Sequence, residues 1–215
     1  MKTGILFDLD GTLLDTLADL LDATNYALNT CGYPGRTLAE LRRFVGNGAQ
    51  NQIRLSLPEG SVPEEVQRVL AVYKPYYTEN CQAKTKPYPG IGEALALLEG
   101  KYPMAIVSNK PDAAVKELCK DYFPGIYALG ETADCPRKPA ADMVYKAMAA
   151  IGVERCIYVG DSEVDVLTAK NAEVPCLSVL WGFRDREDME AVGAEHFCSD
   201  TARLAETIEE MIHGK

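Results

Sequence analysis

The sequence holds no Cys-x-x-Cys pair, no apolar run long enough to cross a bilayer, only two histidines and a single tryptophan. Its seven cysteines, at 31, 81, 119, 135, 156, 176 and 198, are scattered and odd in number, so neither a disulfide framework nor a zinc ribbon fits. Cys156 and Cys176 sit inside apolar runs and read as small core residues, and the whole pattern points to a reducing cytoplasm. Basic residues are also scarce. With 22 Lys and Arg against 32 Asp and Glu, the formal charge is -10, which argues against nucleic acid as a partner. No membrane partner is expected either, and Met1-Lys2-Thr3 leads into too few apolar residues for a secretory signal. His196 and His213 lie late and apart, and neither is assigned a catalytic role.

What the sequence does contain is an ordinary soluble composition, 47% hydrophobic and 25% charged over 215 residues, enough for one medium domain or a core with a small insert. From Lys101 onward short apolar runs alternate with helical spacing. The runs Met104–Val107, Ile126–Leu129, Cys156–Val159 and Cys176–Leu180 predict strands, and Ala113–Asp121, Ala140–Ile151 and Asp165–Ala172 predict helices between them. Repeated strand-helix-strand units imply a doubly wound α/β fold, a Rossmann-like parallel sheet. The stretch from Thr16 to Cys81 breaks that rhythm, with helical patterns only, over Leu17–Thr30, Thr37–Phe44, Ala49–Leu57 and Pro63–Tyr77. The expected organisation is therefore an α/β core of 1–15 and 82–215 with an α-helical cap inserted at 16–81. Because the insert departs just after Asp15, it is expected to act as a lid over the first strand's carboxyl end; a packing appendage is the plainer alternative.

The most informative segment is Asp8-Leu9-Asp10-Gly11-Thr12, directly after the apolar run Gly4–Phe7. Open α/β sheets bind ligands outside the carboxyl ends of their strands, where paired acids can hold a metal or do chemistry. A calcium loop is excluded, since its sixth position needs glycine and Leu13 stands there. Helix capping or a turn around Gly11 remains an alternative. Three further features fall at predicted strand ends or between units. Ser108-Asn109-Lys110 could bind phosphate oxygens at the mouth of a helix, or cap the helix after Pro111. Lys138 could set an ammonium beside the same anion, or be an ordinary exposed lysine. Gly160-Asp161-Ser162-Glu163-Val164-Asp165 adds two more acids, with Asp161 as a metal-ligand candidate and capping as the alternative. Acids gathered at one sheet edge repel each other unless they share a cation, so the set predicts a divalent metal.

Together these segments resemble the haloacid dehalogenase-like superfamily, in its phosphatase branch with a helical cap after the first strand. Asp8–Thr12 is similar to that family's first motif, Ser108-Asn109 to its second, Lys138-Pro139 to its third and Gly160–Asp165 to its fourth, in the family's order. Within the insert, Leu41–Ala49 resembles the cap segment of phosphoglycolate phosphatases, a weaker signal. The resemblance implies that Asp8 is the nucleophile, forming an aspartyl phosphate. Asp10, on the same side of an extended segment, would protonate the leaving alkoxide and then deprotonate water. Magnesium would be held by Asp8, the backbone carbonyl of Asp10 and Asp161, with Asp165 behind them. Thr12, Ser108, Asn109 and Lys138 would compensate phosphoryl oxygens, and Leu9 would be core.

The expected activity is magnesium-dependent hydrolysis of a small phosphorylated metabolite, phosphoglycolate first, by a monomer or homodimer. A phosphosugar mutase, an inorganic pyrophosphatase and a non-catalytic phospho-ligand-binding module are the competing readings. A dehalogenase is disfavoured, because Asp10 supplies an acid that the dehalogenase branch lacks. Gly46-Asn47-Gly48 reads either as a turn between cap helices or as a substrate contact, and lacks the third glycine of a dinucleotide fingerprint. Gly160–Val164 lacks the last glycine of a nucleophile elbow. Arg42, Arg43 and Arg54 could meet a substrate carboxylate from the lid, though solvated helix charges are the default.

Overall fold

Apolar on both faces, the run after Thr3 forms β1 (Thr3–Phe7) in a computed structural model that describes residues 2–214. Beyond β1 come β2 (Leu14–Asp15) and four consecutive helices, α1 (Leu17–Thr30), α2 (Leu38–Phe44), α3 (Gly48–Ser56) and α4 (Pro63–Asn80). The chain returns through β3 (Lys86–Pro87) and α5 (Ile91–Leu98) to β4 (Met104–Pro111), α6 (Asp112–Tyr122), β5 (Tyr127–Glu131), α7 (Asp142–Ile151) and β6 (Arg155–Gly160). Then follow α8 (Glu163–Asn171), β7 (Cys176–Val179), α9 (Arg186–Glu190), β8 (His196–Cys198) and α10 (Leu204–His213).

Six strands pair in the order β5-β4-β1-β6-β7-β8, every neighbour parallel, as the alternating pattern predicts. β1 lies between β4 and β6, with Phe7 opposite Ile106 on one side and Val159 on the other. From β1 the sheet extends through β4 and β5 on one side and through β6, β7 and β8 on the other. The order therefore reverses between β1 and β6, and at such a switch point the loops beyond the strands diverge and leave a crevice. Side-chain alternation along β1 sends Ile5 and Phe7 into one apolar cluster and Leu6 into another, with Ala105, Val107 and Tyr158. The first cluster continues without a break into the helices of the insert, through Leu41, Ile53 and Tyr73.

Several expected elements differ in extent. β4 runs on to Pro111 with a register shift after Val107, so Ser108, Asn109 and Lys110 lie on a buried strand. α6 begins directly after this segment, at Asp112, but its cap position is Pro111 and no side chain caps it. β5 starts and ends later than the Ile126–Leu129 run, and the short antiparallel pair β2–β3 was not signalled, since two residues carry no periodicity. That pair joins the chain's exit from the core to its return. Asp19 on α1 reinforces the junction, accepting from the backbone N–H groups of Lys84 and Thr85 at 2.8–3.0 Å. Burial pushes the Cys156 and Cys176 thiols up to about 12, as expected of core cysteines, and all seven cysteines are unpaired.

Candidate active site

Asp8 is the first residue past β1, and its N–H extends the ladder to Val159 O at 2.8 Å, which directs the carboxylate into the crevice between β1 and β6. The chain then turns tightly, with Leu13 and Leu14 N–H groups on Leu9 O at 3.0 and 2.9 Å. Leu9 is fully buried, as core. Capping does not explain the two acids, because α1 begins well beyond them and its N-cap, Thr16, has no side-chain cap. Gly11 takes φ +89, and a Cβ there would stand 2.3 Å from Asp161 Oδ2. A Cβ on Gly182 would come equally close, 2.3 Å from Asp161 Cβ. Two glycines thus leave the space in which the Asp161 carboxylate sits.

Asp161 and Asp165 come from the β6–α8 turn and play different parts. Asp165 sits in the first turn of α8, where its Oδ2 accepts from the backbone N–H groups of Asp161 and Ser162 at 3.2 and 3.1 Å and from the Ser162 hydroxyl at 2.6 Å. Its Oδ1 accepts from Lys138 at 2.8 Å and Tyr158 at 3.2 Å. Both Asp165 oxygens are thereby engaged. Asp161 accepts from the Thr12 hydroxyl at 3.1 Å and the Phe183 N–H at 2.7 Å. Oxygens of Asp8, Asp161 and Asp165 all lie within 4.8 Å of one another.

Lys138 is buried, and its ammonium bonds Asp8 Oδ1 at 2.6 Å, Asp165 Oδ1 at 2.8 Å and Tyr158 Oη at 3.0 Å. An ammonium has three donors, so all are in use. Burial pulls the Lys138 pKa down, but Asp165, Asp8 and Tyr158 outweigh it and leave it well above lysine's usual value. One buried cation does not balance three buried acids. Burial pushes the Asp8 carboxyl well above the usual range against the pull of Lys138, with Asp165, Asp161 and Asp10 adding to the rise. Burial and Asp165 push Asp161 up to about 7, although Phe183 N–H and Thr12 oppose it. A small hard cation fits this set, since it prefers oxygen ligands and would relieve the same repulsion.

Lys138→Met is expected to destabilise the fold by about 3–5 kcal/mol, because two carboxylates lose their buried partner. The Asp8 carboxyl, raised in the folded state by burial, stabilises that state only while protonated, so the loss should deepen as pH rises from 5 to 8. Urea unfolding at the two pH values measures both effects.

The other face of the crevice carries Ser108, Asn109, Lys110 and Asp10. Asn109 Oδ1 accepts from Lys138 N–H at 2.8 Å, and its amide donates to Lys138 O at 2.9 Å and Gly46 O at 3.3 Å. It therefore clamps the Lys138 segment and touches the insert. Lys110 lies 2.9 Å from Asp10 Oδ1 as an ion pair, and it also donates to the Tyr77 hydroxyl. Between these walls lies a cavity that opens to solvent. Gly46, Gly48, Gln52, Tyr73 and Tyr77 close it from the insert, so the glycine turn does border the cavity.

A sequence profile described as haloacid dehalogenase-like hydrolase matches residues 5–179, most of the chain. The chain belongs to the haloacid dehalogenase-like hydrolase family. Phosphoglycolate phosphatase of Mesorhizobium japonicum is 34% identical to it over 95% of each chain. Phosphoglycolate phosphatase of Agrobacterium fabrum is 35% identical over 84% of this chain and 81% of its own. Among solved structures, a protein from Lactobacillus delbrueckii subsp. bulgaricus, provisionally named a phosphoglycolate phosphatase, superposes with a TM-score of 0.91 at 38% identity, covering 97% of this chain and 99% of its own.

In this haloacid dehalogenase-like hydrolase the four motifs converge, but not every candidate faces the cavity. Asp8, Asp10, Ser108, Asn109, Lys138, Asp161 and Asp165 border it. Thr12 is wholly buried with its hydroxyl on Asp161 and does not border the cavity. Asn109 and Lys138 are engaged with protein partners, Asn109 with the Lys138 backbone and Lys138 with the carboxylates of Asp8 and Asp165. Of the lid arginines, Arg42 pairs with Asp185 at 3.1 Å and Arg54 bonds Asn51 at 2.8 Å, and neither borders the cavity. Nor does Arg43, which is exposed. The cavity arginine is instead Arg184, unforeseen in the sequence because the loop after β7 has no motif. Its guanidinium takes Glu163 at 2.8 Å and the carbonyls of Arg42 and Val45 at 2.6 and 2.8 Å. Among the described residues, no helix is long and apolar enough to cross a membrane.

Proposed function

We propose that this haloacid dehalogenase-like hydrolase is a phosphatase of small phosphate monoesters, phosphoglycolate foremost, working through an aspartyl phosphate on Asp8. The observation that carries the reading is the contrast between two acids two residues apart. Asp8 is buried against Lys138, beside Asp161, while Asp10 pairs with Lys110 on the other wall of the cavity. One acid is held as a nucleophile beside a buried ammonium, and the other borders the cavity two residues on, where it can meet the leaving group.

Lys138 holds Asp8 Oδ1, leaving the other oxygen to attack phosphorus in line; the P–O bond to the leaving group breaks, and Asp10 delivers its proton to that oxygen. Asp10, now a carboxylate, takes a proton from the water that opens the acyl phosphate, which returns Asp8 and releases phosphate. Ser108 lines the cavity and offers its hydroxyl to a phosphoryl oxygen. Magnesium, held by Asp8, Asp161 and the Asp10 carbonyl, would supply charge neutralisation of phosphate and nucleophile. Asp165 orients Lys138 and the Asp161 loop.

The test is phosphate release across phosphoglycolate, sugar phosphates, nucleotides and pyrophosphate, with and without magnesium. Magnesium-dependent release led by phosphoglycolate is expected. Phosphoryl return to a sugar would indicate a mutase, preference for pyrophosphate a pyrophosphatase, and no release from any compound a binding module. Because protons compete for Asp161, the magnesium needed for half-maximal rate should rise as pH falls from 8 to 6.

Residues 16–81 serve in this reading as a lid, and Arg184 as the clasp that holds it down on the core. Arg184→Ala removes the donors to the carbonyls of Arg42, Arg43 and Val45. It is expected to raise KM roughly tenfold and to speed amide exchange across residues 42–48 while β1 and β6 stay protected. Unchanged exchange there would leave the insert a fixed appendage. The seven unpaired cysteines support a reducing, cytoplasmic setting.

A further inference from the structure

We propose that Lys110 is the specificity residue that reads a carboxylate on the substrate, carried one carbon from the ester oxygen; this rests on the phosphatase reading of Asp8 and Asp10. Among the described residues three cations border the cavity: Lys110, Lys138 and Arg184. Lys138 has all three donors on Asp8, Asp165 and Tyr158. Arg184 is taken by Glu163 and the carbonyls of the α2 end. Lys110 alone has capacity left. Its ammonium meets Asp10 Oδ1 and the Tyr77 hydroxyl, and an ammonium carries a third donor.

The position of that ammonium selects the ligand chemistry. Asp10 is the group that meets the leaving oxygen, so a cation 2.9 Å from Asp10 stands beside the first carbons of the leaving group rather than beside phosphorus. In a phosphorylated 2-hydroxy acid the carboxylate carbon is two bonds from the ester oxygen, within reach of a charge placed there. The ammonium is also desolvated, with the Lys110 side chain 2% exposed and its Nζ 4.5 Å from the Tyr77 ring centroid. A buried charge pair is stronger than one in water. The remaining wall on that side, Gln52, Tyr73 and Tyr77 with apolar Val45 and Ala49, presents no acid to repel a carboxylate and no further cation to hold a second one. The site therefore suits a short monocarboxylate ester in preference to a sugar phosphate.

The experiment compares kcat/KM for phosphoglycolate and for 2-hydroxyethyl phosphate, its neutral counterpart with hydroxymethyl in place of the carboxylate, in wild type and Lys110→Met with magnesium present. Wild type is expected to favour phosphoglycolate by at least about a hundredfold, and Lys110→Met to reduce that preference to within about tenfold, mainly through KM for phosphoglycolate. Lys110→Arg, which keeps the charge, should retain part of the preference, and Lys110→Gln carries the same comparison should the Met variant not fold. If both substrates lose the same factor and the preference survives, Lys110 only positions Asp10, and the assignment is overturned while the phosphatase reading stands. A wild type that hydrolyses both esters equally well removes the carboxylate claim but not the phosphatase. Release from neither ester overturns both.

Discussion

Asp8→Asn is expected to abolish turnover and phosphoenzyme formation together, with kcat falling roughly 10⁴- to 10⁶-fold, the scale on which loss of a covalent nucleophile is felt. The substitution keeps the shape and removes the charge. Asparagine can still accept a hydrogen bond from Lys138, and one of three mutually repelling acids is gone, so the folded state should not suffer as it does when Lys138 is replaced. Acid quench of the wild type during turnover should trap phosphate on the protein, and the same quench of the variant should trap none. A variant with near wild-type rates would remove Asp8 as the nucleophile, whatever the family resemblance. Burial leaves Asp8 well above the usual carboxylate range in the metal-free chain, so the wild-type rate should also need magnesium or a rise in pH to ionise it.

Asp10→Asn should divide the reaction into its halves. General acid and base catalysis typically contributes about 10²- to 10⁴-fold, and Asp10 is assigned to both steps, so steady-state hydrolysis of an alkyl phosphate should fall by at least that range. An aryl phosphate with a good leaving group needs little help to depart. With p-nitrophenyl phosphate the variant is therefore expected to show a stoichiometric burst of p-nitrophenol and then stall, because the amide cannot activate water against the aspartyl phosphate. Rapid-mixing absorbance records burst and stall separately. Equal slowing of both phases with an altered circular dichroism spectrum would instead indicate that the Asp10–Lys110 pair is structural.

The pair of acids could be read from sequence because a strand's alternation and the abrupt change from Phe7 to Asp8 are local signals. So were α1, predicted to the residue, and the four-helix stretch between the exit from the core and the return to it. Lys138 illustrates the opposite case. In sequence it is one lysine before a proline, and exposure is the ordinary expectation. Its burial against Asp8 depends on residues 130 positions away. Asn109 and Thr12 were legible as polar residues near strand ends, but which neighbour each would bond was not. A hydroxyl or amide bonds whatever the packing brings near, and here that is Lys138 backbone and Asp161.

Lys110, Gln52, Tyr73, Tyr77 and Arg184 belong to the same lesson. Tyr73 and Tyr77 on α4 are buried, yet both border the cavity because the helices of the insert are laid over the end of the sheet. Local physics settles the class of fold, the order of the motifs and which acids stand at the strand ends, since periodicity and strand-end chemistry act over a few residues. Charge balance, the partners of each lysine and the wall that closes the cavity were decided only on folding. Those depend on which side chains are desolvated together, and burial brings together residues that the chain itself keeps far apart.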